Sequence, residues 1–301
     1  MANTVKINFL AEIKERYGNF KKLNTSLSLF DIGETRIYIR YSKVHGKDKT
    51  FYGLRDIDLK ELEGKNSIIV FLWDNQKEPL FIPFGEFEEV FNYSKVASDG
   101  QYKAQVYLRE DGIEFYVAGG GKFNVEGFMG WKNLEKQIDK NKIIDLPDLS
   151  HFQIQTFLGF IGVSKGYNIW VPHSDRARMD WNLAPKFSFR KELPIMYENI
   201  FEIVNEIDVI WLKKGTNQIN SLFEVEHSTP IYSGLLRFND FFLVTKEKKL
   251  KFNIVSNDER RSLFTKQINR PTFQVSGLGE TCNFLEYKDV FGWFERTKSI
   301  K

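Results

Sequence analysis

Two glutamates separated by one valine stand inside an otherwise apolar run, Ser221-Leu222-Phe223-Glu224-Val225-Glu226-His227. Upstream, Asp208 interrupts a second such run, Ile207-Asp208-Val209-Ile210-Trp211-Leu212. Short runs of β-branched and aromatic residues bounded by Gly, Asn or Lys have the composition of strands in a buried sheet. Burying a carboxylate is costly unless it is paired or holds a metal. Alternate residues of a strand share a face, so Glu224 and Glu226 project together. If the Asp208 strand is adjacent, three carboxylates converge, a ligand set suited to Mg²⁺ or Mn²⁺. A metal held there stabilises a phosphodiester transition state and activates water. The competing reading places one or two of these acids in water at a strand end.

The 301 residues suffice for one large domain or two smaller ones, and 42% hydrophobic with 28% charged residues is a globular composition. A net charge of +3 imposes no global field, so a nucleic-acid surface must come from local clustering of the 43 Lys and Arg. The single cysteine, Cys282, excludes an intrachain disulfide framework and a Cys-based zinc cluster. With no leader-like segment and no apolar run of membrane-spanning length, the expectation is a cytoplasmic protein. Nothing beside Cys282 activates its thiol, and a buried structural role is expected.

Residues 1–145 read as an N-terminal α/β domain of uncertain fold, dominated by a mixed or antiparallel sheet. A helix ends near Gly18, and strands follow at 36–44, 51–54, 67–73, 80–84, 101–108 and 112–118. Residues 36–44 alternate as a half-buried strand whose outer face is basic. Arg36, Arg40 and Lys43, with Tyr38 and Tyr41 between them, make either a DNA-contacting edge or a solvated face. Gly119-Gly120-Gly121-Lys122 lacks the second Gly-Lys-Ser/Thr of a phosphate loop and reads as a strand-connecting turn.

The charged stretch ending in Leu146-Pro147-Asp148 reads as the boundary to a second domain, 146–301. There an apolar helix from His151 precedes a strand at Asn168-Ile169-Trp170-Val171. A long connection, 173–194, carries Arg176, Arg178, Lys186, Arg190 and Lys191 among Trp181, Phe187 and Phe189. The Asp208 strand, the Glu224 strand, a helix from Pro230 and a strand at 250–255 complete the order. The basic connection has the character of a DNA-facing loop, or of a mobile lid.

Helix, three strands, helix and strand, with an acid on the second strand and Glu-x-Glu on the third, resembles the αβββαβ core of the PD-(D/E)xK nucleases, the restriction-endonuclease-like superfamily. The resembling stretches are Gly166–Pro172 with Asp175-Arg176, Ile207–Trp211, Phe223–Thr229 with Ile231–Arg237, and Ile268–Phe273. The resemblance implies a mixed central sheet and Mg²⁺-dependent hydrolysis of duplex DNA, as in a type II restriction endonuclease. Asp208 and Glu224 then ligate Mg²⁺, for which Mn²⁺ can substitute. Glu226 stands where the family's lysine usually sits and, unable to supply positive charge, orients or deprotonates water or ligates a second metal. Gln155 resembles the Gln or Glu that many members direct at the metal, the alternative being an ordinary helix-face polar residue. Arg237 reaches a phosphate or pairs with Asp240. His227 points away from both glutamates. A homodimer suits symmetric duplex sites. The alternative function is a degenerate DNA-binding or modification-sensing module, and 277–301 is a packing segment or dimer contact.

Overall fold

The computed structural model describes residues 2–299 except 25, 47, 111, 140–147, 217, 228–229 and 246–249. The chain divides into two compact units, Met1–Ile144 and Asp145–Lys301. The stretch Leu146-Pro147 lies outside the described residues. No described helix is long and apolar enough to cross a membrane.

The first unit holds two five-stranded sheets. In one, Thr35–Ser42 runs parallel to Ser67–Trp73 and antiparallel to Leu29–Ile32, with Lys21–Lys22 and Leu80–Pro83 at its edges. The other is antiparallel throughout, ordered Gly121–Asn124, Gly112–Val117, Gln101–Arg109, Lys49–Arg55 and Val44–His45. Tyr38, Ile69 and Phe71 of the first sheet share a core with Tyr52, Val106 and Phe115 of the second. The first sheet's other face packs Ile37, Ile39 and Val70 on Phe9, Ile13, Trp131 and Leu134 of helices Ala2–Tyr17 and Trp131–Asp139. The strand expected to be half-buried is therefore buried on both faces, because a core lies on each side of it. Gly119 and Gly120 form the turn between the strands at 112–117 and 121–124.

The second unit builds one mixed sheet between two helical layers. Helix α1 (His151–Ser164) is followed by β1 (Tyr167–Trp170), β2 (Val209–Lys213), β3 (Ile219–Val225), helix α2 (Ile231–Thr245), β4 (Lys251–Ser256), β5 (Cys282–Glu286) and helix α3 (Tyr287–Ser299). The strands lie in the order β1-β2-β3-β4-β5, antiparallel up to β3 and parallel from β3 to β5. Every residue of β3 is buried, as expected of a central strand. Its Phe223 and Val225 face α1 and α3 in one core, while Leu222 faces Leu235 and Phe238 of α2 in the other. The 277–301 segment is part of this architecture. It supplies the fifth strand and α3, whose Trp293 and Phe294 are buried, and Phe294 stacks on Phe157 of α1 at 4.3 Å.

Helix α1 is set with little slack. Ser150 and Gln153 form a reciprocal capping box at its start. The buried Trp211 indole donates to the Leu158 carbonyl at 3.0 Å. A Cβ at Gly162 would meet Ile169 Cδ1 and Trp211 Nε1 at 2.5 Å, so glycine lets the helix lie directly on β1 and β2. Gly162→Ala is expected to destabilise the protein by about 1–3 kcal/mol through overpacking. Urea unfolding checks this, and an unchanged midpoint would show that the helix has room to move.

Candidate active site

His151 and Gln155 stand four residues apart at the start of α1 and so share one helix face. They meet Asp208, which immediately precedes β2, and Asp175, on the short helical turn His173–Arg176 after β1. The buried Gln155 amide donates to Asp175 Oδ2 at 2.9 Å and approaches Asp208 Oδ1 at 3.4 Å. Asp208 Oδ2 accepts from the Val225 backbone N–H at 2.7 Å, and His151 Nε2 lies 3.3 Å from Asp208 Oδ1. One ligand atom from each of His151, Asp175 and Asp208 lies within 4.8 Å of the others. Gln155 Oε1, on a side chain with no exposed surface, has no hydrogen-bond partner among the described residues. A buried acceptor oxygen without a donor, beside two carboxylates, fits a hard divalent cation.

Burial works against the charged form of His151, but the hydrogen bond and charge of Asp208, with Asp175 adding, outweigh it and raise its pKa. Asp208→Asn removes that charge, so the imidazole titration midpoint is expected to fall, read by NMR of the ring protons. A midpoint that stays in place would mean Asp208 does not govern His151.

Glu224 and Glu226 both turn toward α2. Continuing the antiparallel register of Val209 with Phe223 by one residue sets Asp208 opposite Glu224. Glu224 has no exposed surface, and Arg237 of α2 grips it with two hydrogen bonds of 2.7 Å, Nε to Oε1 and Nη2 to Oε2. Burial, with the Asp208 and Glu226 carboxylates adding and Arg237 opposing, raises Glu224 to about 8. Arg237, facing all three carboxylates, is raised further still. Glu226 is buried just past β3, where Gly234 of α2 leaves room for it: a Cβ there would meet Glu226 Oε1 at 2.7 Å.

Asp208 and Glu224 thus sit across one strand pair and sense each other's charge, but Arg237 occupies Glu224 and the ligand atoms closest together are those of His151, Asp175 and Asp208. Strand spacing draws attention to the acids on β3 and gives His151 and Asp175 no ligand role. The available signal was the four-residue spacing of His151 and Gln155 on a mostly apolar helix. Arg237 pairs with Glu224 rather than Asp240. His227 stacks on Tyr287 on the other side of the sheet from the two glutamates' helix. Burial pushes the Cys282 thiol well above its ordinary range, consistent with a structural residue.

The connection after β1 is tied down along its length. Arg190 N donates to the Ile169 carbonyl at 2.8 Å, Phe189 bridges Ile169 of β1, and Phe187 lies where a Cβ on Gly159 would be. Arg176 points inward, bonding the Val171 and Arg190 carbonyls at 2.9 Å between Trp170 and Phe189. Arg178 lies over Phe152 at 4.0 Å, Lys186 over Trp181 at 5.8 Å, and both are exposed, as is Lys191. Arg190 is half-buried and bonds the Glu192 carbonyl. In the first unit, Arg36 is held in ion pairs of 2.8 Å with Asp31 and Glu61, Arg40 lies half-buried over Tyr38, and Lys43 is exposed.

A family model described as the type II restriction enzyme NmeDI C-terminal domain matches residues 133–299, more than half of the chain. The chain belongs to this family. It is 30% identical over 134 residues to the type II restriction enzyme NmeDI of Neisseria meningitidis serogroup C, in an alignment covering 41% of this chain and 37% of that protein. The chain thus spans about a third of the length of the curated relative it matches. No solved structure matches. The restriction-endonuclease-like resemblance is borne out by the family, with which the PD-(D/E)xK superfamily is consistent.

Proposed function

We propose that the chain is a divalent-metal-dependent endonuclease that hydrolyses phosphodiester bonds of duplex DNA as a type II restriction enzyme, through a restriction-endonuclease core spanning 146–301. The observation that supports this is the convergence of His151, Asp175 and Asp208 beside the orphaned Gln155 oxygen, in a chain of a type II restriction enzyme family. Asp208 and Asp175 would hold Mg²⁺, with His151 better suited to Mn²⁺ and Glu224 adding a ligand once released by Arg237. Such an ion, when bound, lowers the pKa of a water and neutralises charge on a phosphoryl oxygen.

The chain's own residues do the rest. Gln155 holds the Asp175 and Asp208 side chains together. Glu226, where lysine would supply charge, orients the attacking water or takes its proton. Arg237, one third exposed at the site, supplies the positive charge that position 226 lacks and meets the phosphate as it leaves Glu224. Arg178, Lys186 and Lys191, with Arg190 behind them, make phosphate contacts that position the duplex, and Arg176 holds their loop. In this reading the first unit recognises or clamps DNA, with Arg40 and Lys43 available to phosphates and Arg36 structural. Two copies of the chain, each cutting one strand, form a homodimer.

Incubating the protein with unmethylated phage DNA in Mg²⁺ and in EDTA tests the reading. Discrete bands with Mg²⁺ alone support it; intact DNA in both, across methylated and unmethylated substrates, overturns it. That outcome favours the second reading, a DNA-binding module without cleavage, which glutamate at position 226 and the Glu224–Arg237 closure support.

A further inference from the structure

The antiparallel sheet of the first unit has an outer face that its core does not account for. One face supplies Tyr52, Leu54, Val106, Phe115 and Val117 to the buried core. On the other, the register sets Lys49 opposite Tyr107, Gly53 opposite Lys103, and Tyr116 opposite Lys122. Directly paired residues share a face, so cations and rings mix on it, with Glu114 opposite Tyr107 and Gln105 opposite Tyr116.

Tyr107 and Tyr116 meet edge to face at 6.4 Å. Lys122 and Arg109 lie 4.9 and 5.3 Å from the Tyr107 ring centre, and Lys49 lies 5.6 Å from that of Phe51. The side chains of Lys103, Arg109 and Lys122 are 51%, 41% and 46% exposed. Two carboxylates answer these cations: Asp99 pairs with Lys103, and Glu114 lies 3.5 Å from Arg109 and 3.9 Å from Lys122. A third carboxylate, Glu126, comes to the same face, its Oε2 3.3 Å from where a Cβ on Gly112 would stand. Lys49, Lys103, Arg109 and Lys122 against Asp99, Glu114 and Glu126 therefore leave a surplus of one positive charge.

Half-buried rings beside exposed cations, with Lys122 and Arg109 over Tyr107 ready to move onto phosphates, match the two parts of an unpaired nucleic-acid strand, bases that stack and phosphates that need positive charge. The shape argues against a duplex groove. Five strands about 4.8 Å apart span roughly 19 Å, wider than a major groove of about 12 Å. We propose that this sheet face binds single-stranded DNA, with Tyr107 and Tyr116 stacking on bases and Lys49, Lys103, Arg109 and Lys122 on phosphates. The choice of DNA rests on the endonuclease reading above, whereas the stacking surface stands on the sheet geometry.

The test uses the full chain in EDTA and fluorescence anisotropy of a labelled oligothymidylate of about 20 nucleotides, its duplex with oligodeoxyadenylate, and the matching oligouridylate. Oligothymidylate is expected to bind more tightly than the matching RNA, with affinity falling as salt rises, while duplex binding, which the second unit supplies in the nuclease reading, is measured beside it. The double variant Tyr107→Ala/Tyr116→Ala is expected to lose about tenfold or more in affinity with its melting temperature retained. Tyr107→Phe/Tyr116→Phe, which keeps both rings, is expected to bind as wild type, and Tyr107→Leu/Tyr116→Leu, which keeps apolar bulk without an aromatic ring, carries the same expected loss should the alanine pair unfold. Unchanged oligothymidylate affinity in the alanine variant, loss of affinity in the phenylalanine variant, an equal loss of duplex affinity in the alanine variant, or tighter binding of RNA would overturn the proposal. Metal-dependent cleavage is scored separately. A chain that binds the strand but cuts nothing keeps this proposal and loses the nuclease reading; a chain that cuts while its alanine variant binds normally loses this proposal alone.

Discussion

Asp208→Asn is expected to reduce Mg²⁺-dependent cleavage of phage DNA by about a thousandfold or more while the protein stays folded. Asparagine keeps an oxygen to accept from the Val225 N–H, so the strand end retains its bond. What disappears is the negative charge that faces Asp175 and His151 in the candidate metal site. Metal ligation is worth several kcal/mol of transition-state stabilisation, and each 1.36 kcal/mol is about tenfold in rate. A gel assay of cleavage against time, with a melting curve of the variant alongside, reads both quantities. Wild-type cleavage by Asp208→Asn would remove the site.

The largest expected effect on stability is at Arg237. Arg237→Met leaves Glu224 fully buried without the guanidinium that now takes both of its oxygens. Breaking a buried ion pair by removing one partner costs about 3–5 kcal/mol, and the lower end applies because Arg237 is one third exposed to water. The loss depends on pH with a definite sign. The folded-state pKa of Glu224 is raised to about 8, above the unfolded value, so its ionisation costs stability as pH rises through that value. In the variant nothing compensates the charge, so the difference between variant and wild-type urea midpoints should widen from pH 6 to pH 9. A gap that stays constant would mean that the lost packing of the arginine, not the charge of Glu224, sets the cost.

Much of the second unit was legible in the chain because its signals are local. Apolar runs of strand length around Ile169, Ile210 and Phe223 specify buried strands, and the order helix, three strands, helix, strand follows from their spacing. Glu224 and Glu226 announce themselves as carboxylates where carboxylates are expensive. The last strand and α3 were less legible, because Cys282–Glu286 is short and its apolar residues resemble any packing segment until β4 supplies a parallel neighbour. In the first unit, the strand at 35–42 reads as half-buried because Arg36 and Arg40 alternate with apolar residues. Its true burial depends on Asp31 and Glu61, which take up Arg36 from other parts of the chain.

The sequence by itself determined where carboxylates interrupt apolar runs, that a glutamate rather than a lysine stands at position 226, and that basic and aromatic residues fill the stretch between β1 and β2. Only the tertiary structure decided how they are partnered. Ligand distances and ion pairs are set by which elements lie side by side, and residues 13 to 57 positions apart along the chain have no local signature of meeting. Helix α1 therefore delivers His151 to Asp175 and Asp208 through its close seat on the sheet at Gly162, and α2 delivers Arg237 to Glu224 across the other face.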